Sequence, residues 1–505
     1  MKLYFEGHRC QYAVEQMLLT LFPGERPVYP EGPPDTRTDS VLVLSLHRGQ
    51  VWATASARLM WKGGCFWGHR RCKTAQLDDP DQGVRVLQRI VKLAFYDAGT
   101  AALGYEPPWG ALTGVRPVKL PARAMEQGAS PRQAARQLQT LYRVSPDRIA
   151  LAMDCARQSL AAKASLAEDQ VSLYVGIPFC PTRCAYCSFV SADVGRTLKL
   201  VEPFVAALCR ELDEVGALLH TLGLHVRTVY FGGGTPTTLS AGQLARVTGR
   251  LAQTIDLSQC TEYTVEAGRP DTITAEKLAV LRRAGVNRIS VNPQTMEDAV
   301  LAAMGRAHTA QDVLRAWDLA RASGIPCINM DLIAGLPADS VHGFCASLDQ
   351  VLRLGPENVT VHTLALKKGA RLMEQGRDAL PSGESVSDML SYAWRTLRQQ
   401  GQRPYYLYRQ KYMSGAFENI GWSQPGRESL YNICMMEELH TILSVGGGGV
   451  TKLVNPRTGR IVRLANPKYP QEYLRQHSRV LEDKQHVADF YAAIGKESDH
   501  GLPIS

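Results

Sequence analysis

The sequence lacks the features that place a protein in a membrane or outside the cell. No run of apolar residues approaches the roughly 18 that a membrane-spanning helix requires. The opening residues MKLYFEGHRC include Glu6, Gly7 and His8 where a secretion signal has an unbroken apolar stretch. No internal repeat is present beyond an alternation of strands and helices. With 45% hydrophobic and 21% charged residues, these absences predict a globular protein of the cytoplasm.

The basic residues are not gathered into one run. The formal net charge is +9, but Lys and Arg are dispersed along all 505 residues. Dispersed charge is typical of solvated surfaces, so the net charge alone selects no partner, and nucleic acid is not an expected one. The length predicts two or three domains, and we expect a monomer.

The twelve cysteines are mostly scattered. In a reducing compartment, close cysteine spacing indicates metal or redox chemistry more often than a disulfide. Cys65 and Cys72 are separated by six residues, but no His–Cys pair lies nearby to complete a zinc site, and we assign them no role. The singly placed cysteines are interpreted as small buried hydrophobes: Cys10, Cys155, Cys209, Cys260, Cys327, Cys345 and Cys434.

The middle of the chain alternates short strand-like runs with amphipathic helices. Thr274 and Thr309 are predicted N-caps of two of these helices, which end at Gly285 and Gly324. Six such units predict a parallel sheet in a partial or full (β/α) barrel, with the doubly wound sheet as the competing topology. The predicted strands are 172–178, 228–232, 262–267, 288–293, 327–335 and 358–364, and the helices lie near 201–220, 240–253, 274–285, 309–323 and 340–354.

Three regions are expected. Residues 1–165 form a separate α+β domain of unknown role, with a strand–helix opening, a hairpin near 40–61 and mostly helical sequence from about 84. Residues 166–370 form the barrel. Residues 371–505 form an α+β extension that covers the substrate, with a helix near 385–400, a tyrosine-rich stretch and the glycine cluster SVGGGGV at 444–450.

The segment YVGIPFCPTRCAYCSF places Cys180, Cys184 and Cys187 at C-x3-C-x2-C spacing directly after the first predicted strand. Three thiolates on one loop can bind a 4Fe–4S cluster and leave one iron without a protein ligand. That iron can chelate the amino and carboxylate groups of S-adenosylmethionine (SAM) and pass an electron to its sulfonium. Structural zinc would require a fourth Cys or His, and a ferredoxin-like carrier four cysteines per cluster. The spacing therefore favours a SAM-cleaving cluster.

This loop, with Tyr186 before its last cysteine, resembles the radical SAM superfamily. The stretch IPFCPTRCAYCSF, followed by YFGGGTPT, is similar to the oxygen-independent coproporphyrinogen III oxidase-like branch. With its long N-terminal extension, the chain most resembles the HemZ-type coproporphyrinogen dehydrogenases. The resemblance is specific over about residues 170–370. It implies a radical SAM partial (β/α)6 barrel, with a 4Fe–4S cluster and SAM as cofactors.

The resemblance also implies SAM contacts after successive strands. Glycines after the second strand allow the backbone to approach the SAM amino group. Isolated carboxylates in strands are costly to bury, whereas a ribose diol needs acceptors and the SAM carboxylate suits an arginine. A buried pair of Glu266 with Arg306 is the structural alternative. The implied contacts are Tyr174, Tyr186, Gly232, Gly233, Gly234, Glu266, Gln294, Arg306 and Asp331.

Further positions follow from the resemblance alone. Leu364 or Ala365 is expected near the adenine, and the glycine cluster near SAM. Lys367 and Lys368 are placed either beside a substrate propionate or in a solvated loop. Arg409 and Lys411 are the remaining expected substrate contacts.

The implied reaction is the oxygen-independent oxidative decarboxylation of coproporphyrinogen III. A deoxyadenosyl radical removes hydrogen from a propionate, carbon dioxide leaves, and a vinyl group forms. Two rounds give protoporphyrinogen IX, a step of haem and porphyrin biosynthesis. The expected partners are an anionic tetrapyrrole and a one-electron donor such as flavodoxin or ferredoxin.

One departure keeps two alternatives open. Established dehydrogenases of the branch have a cysteine two residues after the third ligand, where this chain has Phe189, preceded by Ser188. The same Cys-x-Phe pattern occurs in related haem chaperones, which bind haem and SAM without decarboxylation, although they lack the long N-terminal extension. The second alternative is a radical SAM enzyme that modifies RNA, for which the N-terminal domain should have a clustered basic face.

Overall fold

The computed structural model describes residues 1–35, 37–187, 192–365, 380–410 and 417–499. The chain divides into two compact units. Unit 1 consists of Met1–Met153 and Arg409–Glu418, and unit 2 of Asp154–Tyr408 and Asn419–Ser505. Within the described ranges, every helix is too short or too polar to cross a lipid bilayer.

Unit 1 is built on a four-stranded sheet in the order β1-β2-β3-β4. Strand β1 pairs in parallel with β2, and β2, β3 and β4 form an antiparallel meander. Helices α1 and α2 pack on one face, where the inward residues of β3 are small and apolar. The elements are β1 (Lys2–Glu6), α1 (Gln11–Leu21), β2 (Val41–Arg48), β3 (Trp52–Trp61), β4 (Gly64–Lys73), α2 (Gly83–Leu103), α3 (Lys119–Glu126), α4 (Pro131–Tyr142) and α5 (Pro146–Ala164), which continues into unit 2.

The predicted hairpin corresponds to β2 and β3, but β4 was not predicted. This strand contains both Cys65, which is exposed, and Cys72, which is buried. Its exposed positions include Trp67 as well as charged residues, so the apolar–polar alternation that reveals a half-buried strand is interrupted.

Unit 1 has a buried group of polar side chains around Glu418. Its carboxylate accepts a hydrogen bond from the indole Nε1 of Trp109 at 2.5 Å and lies 3.4 Å from Nε of Arg148. Arg409 donates to the carbonyl oxygen of Leu112, and its guanidinium lies over the Trp109 ring. Burial lowers the pKa of Arg409 to about 10, while the Glu418 charge opposes that shift. Arg409, expected beside the substrate, therefore belongs to the interior of unit 1.

The remaining elements follow in chain order. The strands are β5 (Gln170–Ile177), β6 (Phe179–Cys180), β7 (Ala192–Asp193), β8 (His225–Gly233), β9 (Glu262–Glu266), β10 (Arg288–Ser290), β11 (Cys327–Ala334), β12 (Asn358–Thr363), β13 (Arg403–Arg409), β14 (Glu418–Ser423), β15 (Ile442–Gly446), β16 (Val450–Val454) and β17 (Ile461–Ala465). The helices are α6 (Val194–Leu222), α7 (Ala241–Thr254), α8 (Ala275–Arg283), α9 (Asp298–Ala303), α10 (Ala310–Ala322), α11 (Val341–Leu354), α12 (Gly383–Gln399), α13 (Leu430–Glu437), α14 (Pro470–Arg475), α15 (His477–Glu482) and α16 (Gln485–Asp499).

Six parallel strands of unit 2 lie side by side in chain order, from β5 through β8, β9, β10 and β11 to β12. A doubly wound sheet would reverse its strand order near the middle, and this sheet does not. The eleven-stranded sheet ends at β13 on one side and β17 on the other. The expectation of a partial (β/α)6 barrel is confirmed, and the carboxyl ends of its strands lie at one edge.

The predicted helix caps are confirmed. The side chain of Thr274 accepts a hydrogen bond from the backbone of Lys277, and that of Thr309 accepts one from Asp312. Each hydroxyl satisfies a backbone donor that the helix leaves open at its start. Four of the singly placed cysteines are buried as expected, but three are half-buried: Cys209, Cys260 and Cys345.

Strand β15 joins the barrel sheet from far along the chain. It pairs in parallel with β5, placing Ser444 opposite Tyr174 and Gly446 opposite Gly176. A Cβ atom on Gly446 would lie 2.3 Å from the carbonyl oxygen of Gly176, so only glycine allows this approach. The glycine cluster thus packs against the first barrel strand, at a place where no strand is predicted from the sequence.

Candidate functional site

The cysteine loop begins where β5 ends, at the carboxyl edge of the barrel sheet. Backbone hydrogen bonds of 2.7 Å join Gly234 to Ile177 and Thr235 to Phe179, and they fix the start of the loop to the end of β8. The sulfur of Cys180 lies 3.5 Å from the hydroxyl of Thr235. Cys184 is buried, and Cys187 follows one turn later; Ser188 and Phe189 lie outside the described residues.

An arginine that the sequence did not reveal lies against this loop. Nη1 of Arg269 is 3.8 Å from the sulfur of Cys184 and 3.1 Å from the hydroxyl of Thr182. Asp271 holds the guanidinium through two hydrogen bonds of 2.9 and 2.8 Å. A guanidinium fixed at this position places a positive charge beside the sulfur, where it can stabilise the negative charge of a metal-bound sulfur ligand.

Arg306 contacts the cysteine loop through the side chain of Tyr186. Its Nε donates to the Tyr186 hydroxyl at 3.2 Å, and its Nη1 donates to the carbonyl oxygen of Asn292 at 2.8 Å. Among these described side chains, Arg306 and Glu266 do not form the ion pair given as an example of a salt-bridge network. The Glu266 carboxylate has a different partner.

That partner is Tyr230, whose hydroxyl donates to Oε1 of Glu266 at 2.5 Å. Burial raises the pKa of Glu266 to about 7, although the hydrogen bond from Tyr230 acts in the opposite direction. The ring of Tyr230 stacks on Tyr431 with centroids 4.3 Å apart, and Tyr174 stacks at 6.3 Å from Tyr230. Three tyrosine rings and one carboxyl group therefore line this part of the barrel.

The three glycines at the end of β8, Gly232 to Gly234, lie against these side chains. A Cβ on Gly232 would be 3.3 Å from the Glu266 carboxylate, and one on Gly233 would be 3.4 Å from the Tyr174 hydroxyl. Gly233 has φ +107°, and a Cβ on Gly234 would lie 2.4 Å from the carbonyl oxygen of Phe179. The glycines thus leave a cradle of bare backbone beside a tyrosine and a carboxylate.

The fourth and fifth strands contribute Gln294 and Asp331. Gln294 has φ +69°, a strained value for a residue with a side chain, and its backbone bonds to Asp331 and Ile333 at 2.9 Å. Burial alone would raise the pKa of Asp331, but His362 at 3.8 Å and a 2.7 Å hydrogen bond from Asn329 outweigh it. The pKa of Asp331 is therefore lowered, and its carboxylate is charged.

His308 is a second residue that the sequence did not reveal. It is buried, and within the described part of the chain neither of its ring nitrogens has a hydrogen-bond partner. Burial lowers its pKa to about 4, and the charges of Arg306 and Arg269 add to that effect. A neutral imidazole thus lies near both arginines.

The remaining expected contacts are distributed as follows. Leu364 is buried at the end of β12, in the apolar cluster against which Tyr186 packs. Its backbone N–H donates to the carbonyl oxygen of Ala334 at 3.0 Å. Lys367, Lys368 and Lys411 lie outside the described residues.

The donors on the loop fit an iron–sulfur cluster. Within the described ranges, no three His, Cys, Asp or Glu side chains are close enough to hold one metal ion. In a 4Fe–4S cluster each thiolate binds a different iron, so its ligands stand farther apart than those of a single ion. The donor set, three thiols on one loop with a cation beside Cys184, thus fits a cluster rather than a single ion.

We expect the substitution Arg269→Gln to lower the reduction potential of the cluster by tens of millivolts. Reduction adds negative charge, which a nearby guanidinium stabilises and an amide does not. A redox titration followed by electron paramagnetic resonance measures the shift. Arg282→Gln, at an exposed position on α8, is the control and should leave the potential unchanged. Equal potentials in both variants would contradict an electrostatic role for Arg269.

The model of the radical SAM superfamily matches residues 174–349. The oxygen-independent coproporphyrinogen-III oxidase-like protein HemZ of Bacillus subtilis is 39% identical over 451 residues, which cover 88% of this chain and 89% of that protein. The heme chaperone HemW of Bacillus subtilis is 32% identical over 266 residues, 52% of this chain and 66% of its own length.

Among solved structures, the coproporphyrinogen III oxidase HemN of Escherichia coli, a radical SAM enzyme, is similar with a TM-score of 0.52. The match covers 63% of this chain and 72% of that one at 23% identity. At this identity the likeness concerns the fold. It agrees with the strand order of the barrel sheet.

Proposed function

The chain belongs to the radical SAM superfamily, in its oxygen-independent coproporphyrinogen III oxidase-like branch, with a 4Fe–4S cluster and SAM as cofactors, and we propose that it is a cytoplasmic coproporphyrinogen III dehydrogenase. The proposed reaction converts two propionate side chains to vinyl groups without oxygen. Each conversion releases carbon dioxide, one hydrogen atom and one electron. The product is protoporphyrinogen IX.

The extent of the match to HemZ is the observation on which this proposal rests. That match covers 88% of the chain, and hence sequence in both units. The match to the chaperone HemW covers 52%. The barrel is common to HemZ and HemW, so it does not separate the two functions. The N-terminal sequence shared with HemZ is therefore the better evidence against a chaperone.

We assign the cluster to Cys180, Cys184 and Cys187. A cluster held by these three cysteines would supply the single electron for reductive cleavage of SAM. Arg269 holds positive charge at Cys184, and Tyr186 packs against an apolar cluster beside the loop. The chain thus places a positive charge next to the sulfur ligands and anchors the loop.

Residues along the strand ends orient SAM in this proposal. The backbone of Gly232, Gly233 and Gly234 accepts its amino group, and Arg306 takes its carboxylate. Glu266 and Asp331 accept hydrogen bonds from the ribose hydroxyls, while Tyr174 and Gln294 line the remaining sides. Their location at one sheet edge supports the assignment, because two half-buried carboxylates there are suited to accept hydrogen bonds from the ribose hydroxyls.

The region 371–505 is proposed to cover the tetrapyrrole. Its tyrosine-rich strand β13 includes Tyr405 and Tyr406, which are buried and pack against each other with ring centroids 4.8 Å apart. A flavodoxin or ferredoxin is the proposed source of the electron that SAM cleavage consumes.

SAM should bind more tightly as the pH rises from about 6 to 8, because the pKa of Glu266 is about 7. This pKa is raised above its ordinary value, so the carboxyl is neutral below it and becomes a charged acceptor above it. Tyr230→Phe removes the hydrogen bond that lowers the pKa, and the midpoint should move to higher pH. Glu266→Gln should bind SAM weakly with no such pH dependence. Equilibrium dialysis of labelled SAM under anaerobic conditions measures all three; a parallel dependence in Glu266→Gln would contradict the assignment.

The reaction itself is tested by anaerobic reconstitution with iron and sulfide. Dithionite, SAM and coproporphyrinogen III are then added, and chromatography follows both products. Formation of 5′-deoxyadenosine together with a vinyl porphyrinogen is the expected result. Deoxyadenosine without a vinyl product would retain the superfamily chemistry and reject this substrate.

A haem chaperone is the second candidate. It is supported by the similarity to HemW and by Phe189 in place of a further cysteine. A chaperone would bind haem stoichiometrically and would give no vinyl product. Titration with haem, monitored by its absorbance, distinguishes the two candidates in the same preparation.

A further inference from the structure

We propose that the outer face of the sheet in unit 1 binds single-stranded nucleic acid, a function separate from the chemistry of the barrel. The face in question is the side of β3 and β4 opposite α1 and α2. We call it the β3–β4 face. Its residues are Trp52, Thr54, Ser56, Arg58, Met60, Cys65, Trp67, His69, Arg71 and Lys73.

The segment that forms this face has a strong local excess of positive charge. Between Asp39 and Asp78 the sequence contains no Asp or Glu, whereas it contains six Lys and Arg residues: Arg48, Arg58, Lys62, Arg70, Arg71 and Lys73. Dispersal of charge along the whole chain conceals this local pattern. An acid-free strand pair suits a polyanion, because phosphate contacts supply most of the affinity for nucleic acid.

Two of the arginines form ion pairs with aspartates, whereas two others lie on the β3–β4 face against tryptophan rings. Arg48 pairs with Asp78, and Arg70 pairs with Asp97 on α2, each at 2.7 Å. Arg58 and Arg71 instead lie over tryptophan rings, Arg58 over Trp67 at 5.3 Å. An arginine in this position keeps its donors for a phosphate while it stacks.

The two tryptophans are exposed platforms. Trp52 has 42% of its surface exposed and Trp67 has 53%, unusual values for the largest apolar side chain. Arg71 lies over Trp52 at 4.7 Å, and His69 stacks beside Trp67. Exposed rings flanked by arginine and histidine side chains are surfaces on which unpaired bases can stack.

The spacing of the platforms favours a polymer over a small flat ligand. Trp52 pairs across the strands with Lys73, and Trp67 pairs with Arg58. The platforms are therefore six residues apart along the strands, or about 20 Å. A single tetrapyrrole cannot contact both rings, whereas an extended strand of several nucleotides can. A duplex fits poorly, because its bases are already stacked inside it.

The first test measures binding of a labelled, unstructured RNA of about 12 nucleotides to the full-length reconstituted protein by fluorescence anisotropy. Binding should weaken steeply between about 50 and 200 mM salt. The double substitution Trp52→Thr and Trp67→Thr, which keeps residues suited to strands, should weaken it at least about tenfold. Arg71→Ala with Lys73→Ala should reduce the slope of log affinity against log salt by about 1.4.

Matched controls separate this face from general surface effects. Arg132→Ala with Arg136→Ala removes two exposed charges from α4 of the same unit, and Tyr469→Ala removes an exposed ring elsewhere. Both should bind RNA like the unmodified protein. All variants should retain the unmodified circular dichroism spectrum and SAM cleavage, since none alters the barrel site.

Three results would overturn the proposal. They are a lack of salt-sensitive binding, equal weakening by the control substitutions, and equal affinity for a duplex of the same sequence. SAM cleavage and vinyl formation are measured independently, so failure of RNA binding leaves the proposed barrel function intact. A single-stranded DNA of the same sequence, tested in parallel, determines whether the 2′-hydroxyl contributes to binding.

Discussion

Replacing Cys184 by alanine is expected to abolish the cluster absorbance near about 400 nm and the formation of 5′-deoxyadenosine. Cys184 is the most buried cysteine of the loop, and Arg269 lies beside its sulfur. Two thiolates on the remaining loop cannot hold three irons of a cubane. The measurement is the visible spectrum after anaerobic reconstitution, followed by product chromatography with SAM and dithionite.

The matched control for this prediction is Cys345→Ala. Cys345 is a half-buried thiol on α11, outside the cysteine loop. The control should keep both the absorbance and SAM cleavage. A SAM-responsive cluster of normal intensity in Cys184→Ala would show that another residue serves as ligand.

The largest effect on stability is expected from Glu418→Ala. Glu418 is fully buried, lies 3.4 Å from Arg148 and accepts a hydrogen bond from Trp109. Removing one member of a buried ion pair leaves the other charge poorly compensated, at a cost of about 3–5 kcal/mol in the free energy of unfolding. Urea unfolding followed by tryptophan fluorescence should show the transition of unit 1 at much lower denaturant.

Two further variants serve as comparisons for Glu418→Ala. Glu418→Gln keeps an acceptor for the indole but not the charge, and it should fall between the alanine variant and the unmodified protein. Asp154→Ala removes a carboxylate that pairs with Arg157 and Arg398 at the surface, and it should cost less than about 1 kcal/mol. If Glu418→Ala unfolds like Asp154→Ala, the buried group does not stabilise unit 1.

The parts of the site that were predicted from the sequence all depend on residues that are close together in the chain. The cysteine loop is local, and the side chains at the strand ends follow from the alternation of strands and helices. Glu266 and Asp331 were identifiable because a carboxylate in an apolar strand is unusual. Thr274 and Thr309 were identifiable because capping chemistry depends on only a few adjacent residues.

The parts that were missed depend on contacts between distant segments. Arg269 follows β9 and His308 follows α9 without a local pattern; only the fold brings Arg269 to the cysteine loop and His308 near Arg269 and Arg306. Tyr431 stacks on the ring of Tyr230, although more than half of the sequence of unit 2 separates the two residues. Strand β15 was missed because it is short and runs directly into the glycines at 446–449, and its pairing with β5 is a long-range contact.

The pairing of β5 with β15 determines when the barrel can be completed during synthesis. Ser172 at the start of β5 hydrogen-bonds to His440, 268 residues later. At about 5–20 residues per second, the ribosome needs about 15 to 50 s to supply that partner. Throughout this interval one edge of the first barrel strand has no partner, beside the loop that contains the cysteines. Unpaired strand edges are templates for aggregation, so the nascent chain is most vulnerable just before β15 emerges.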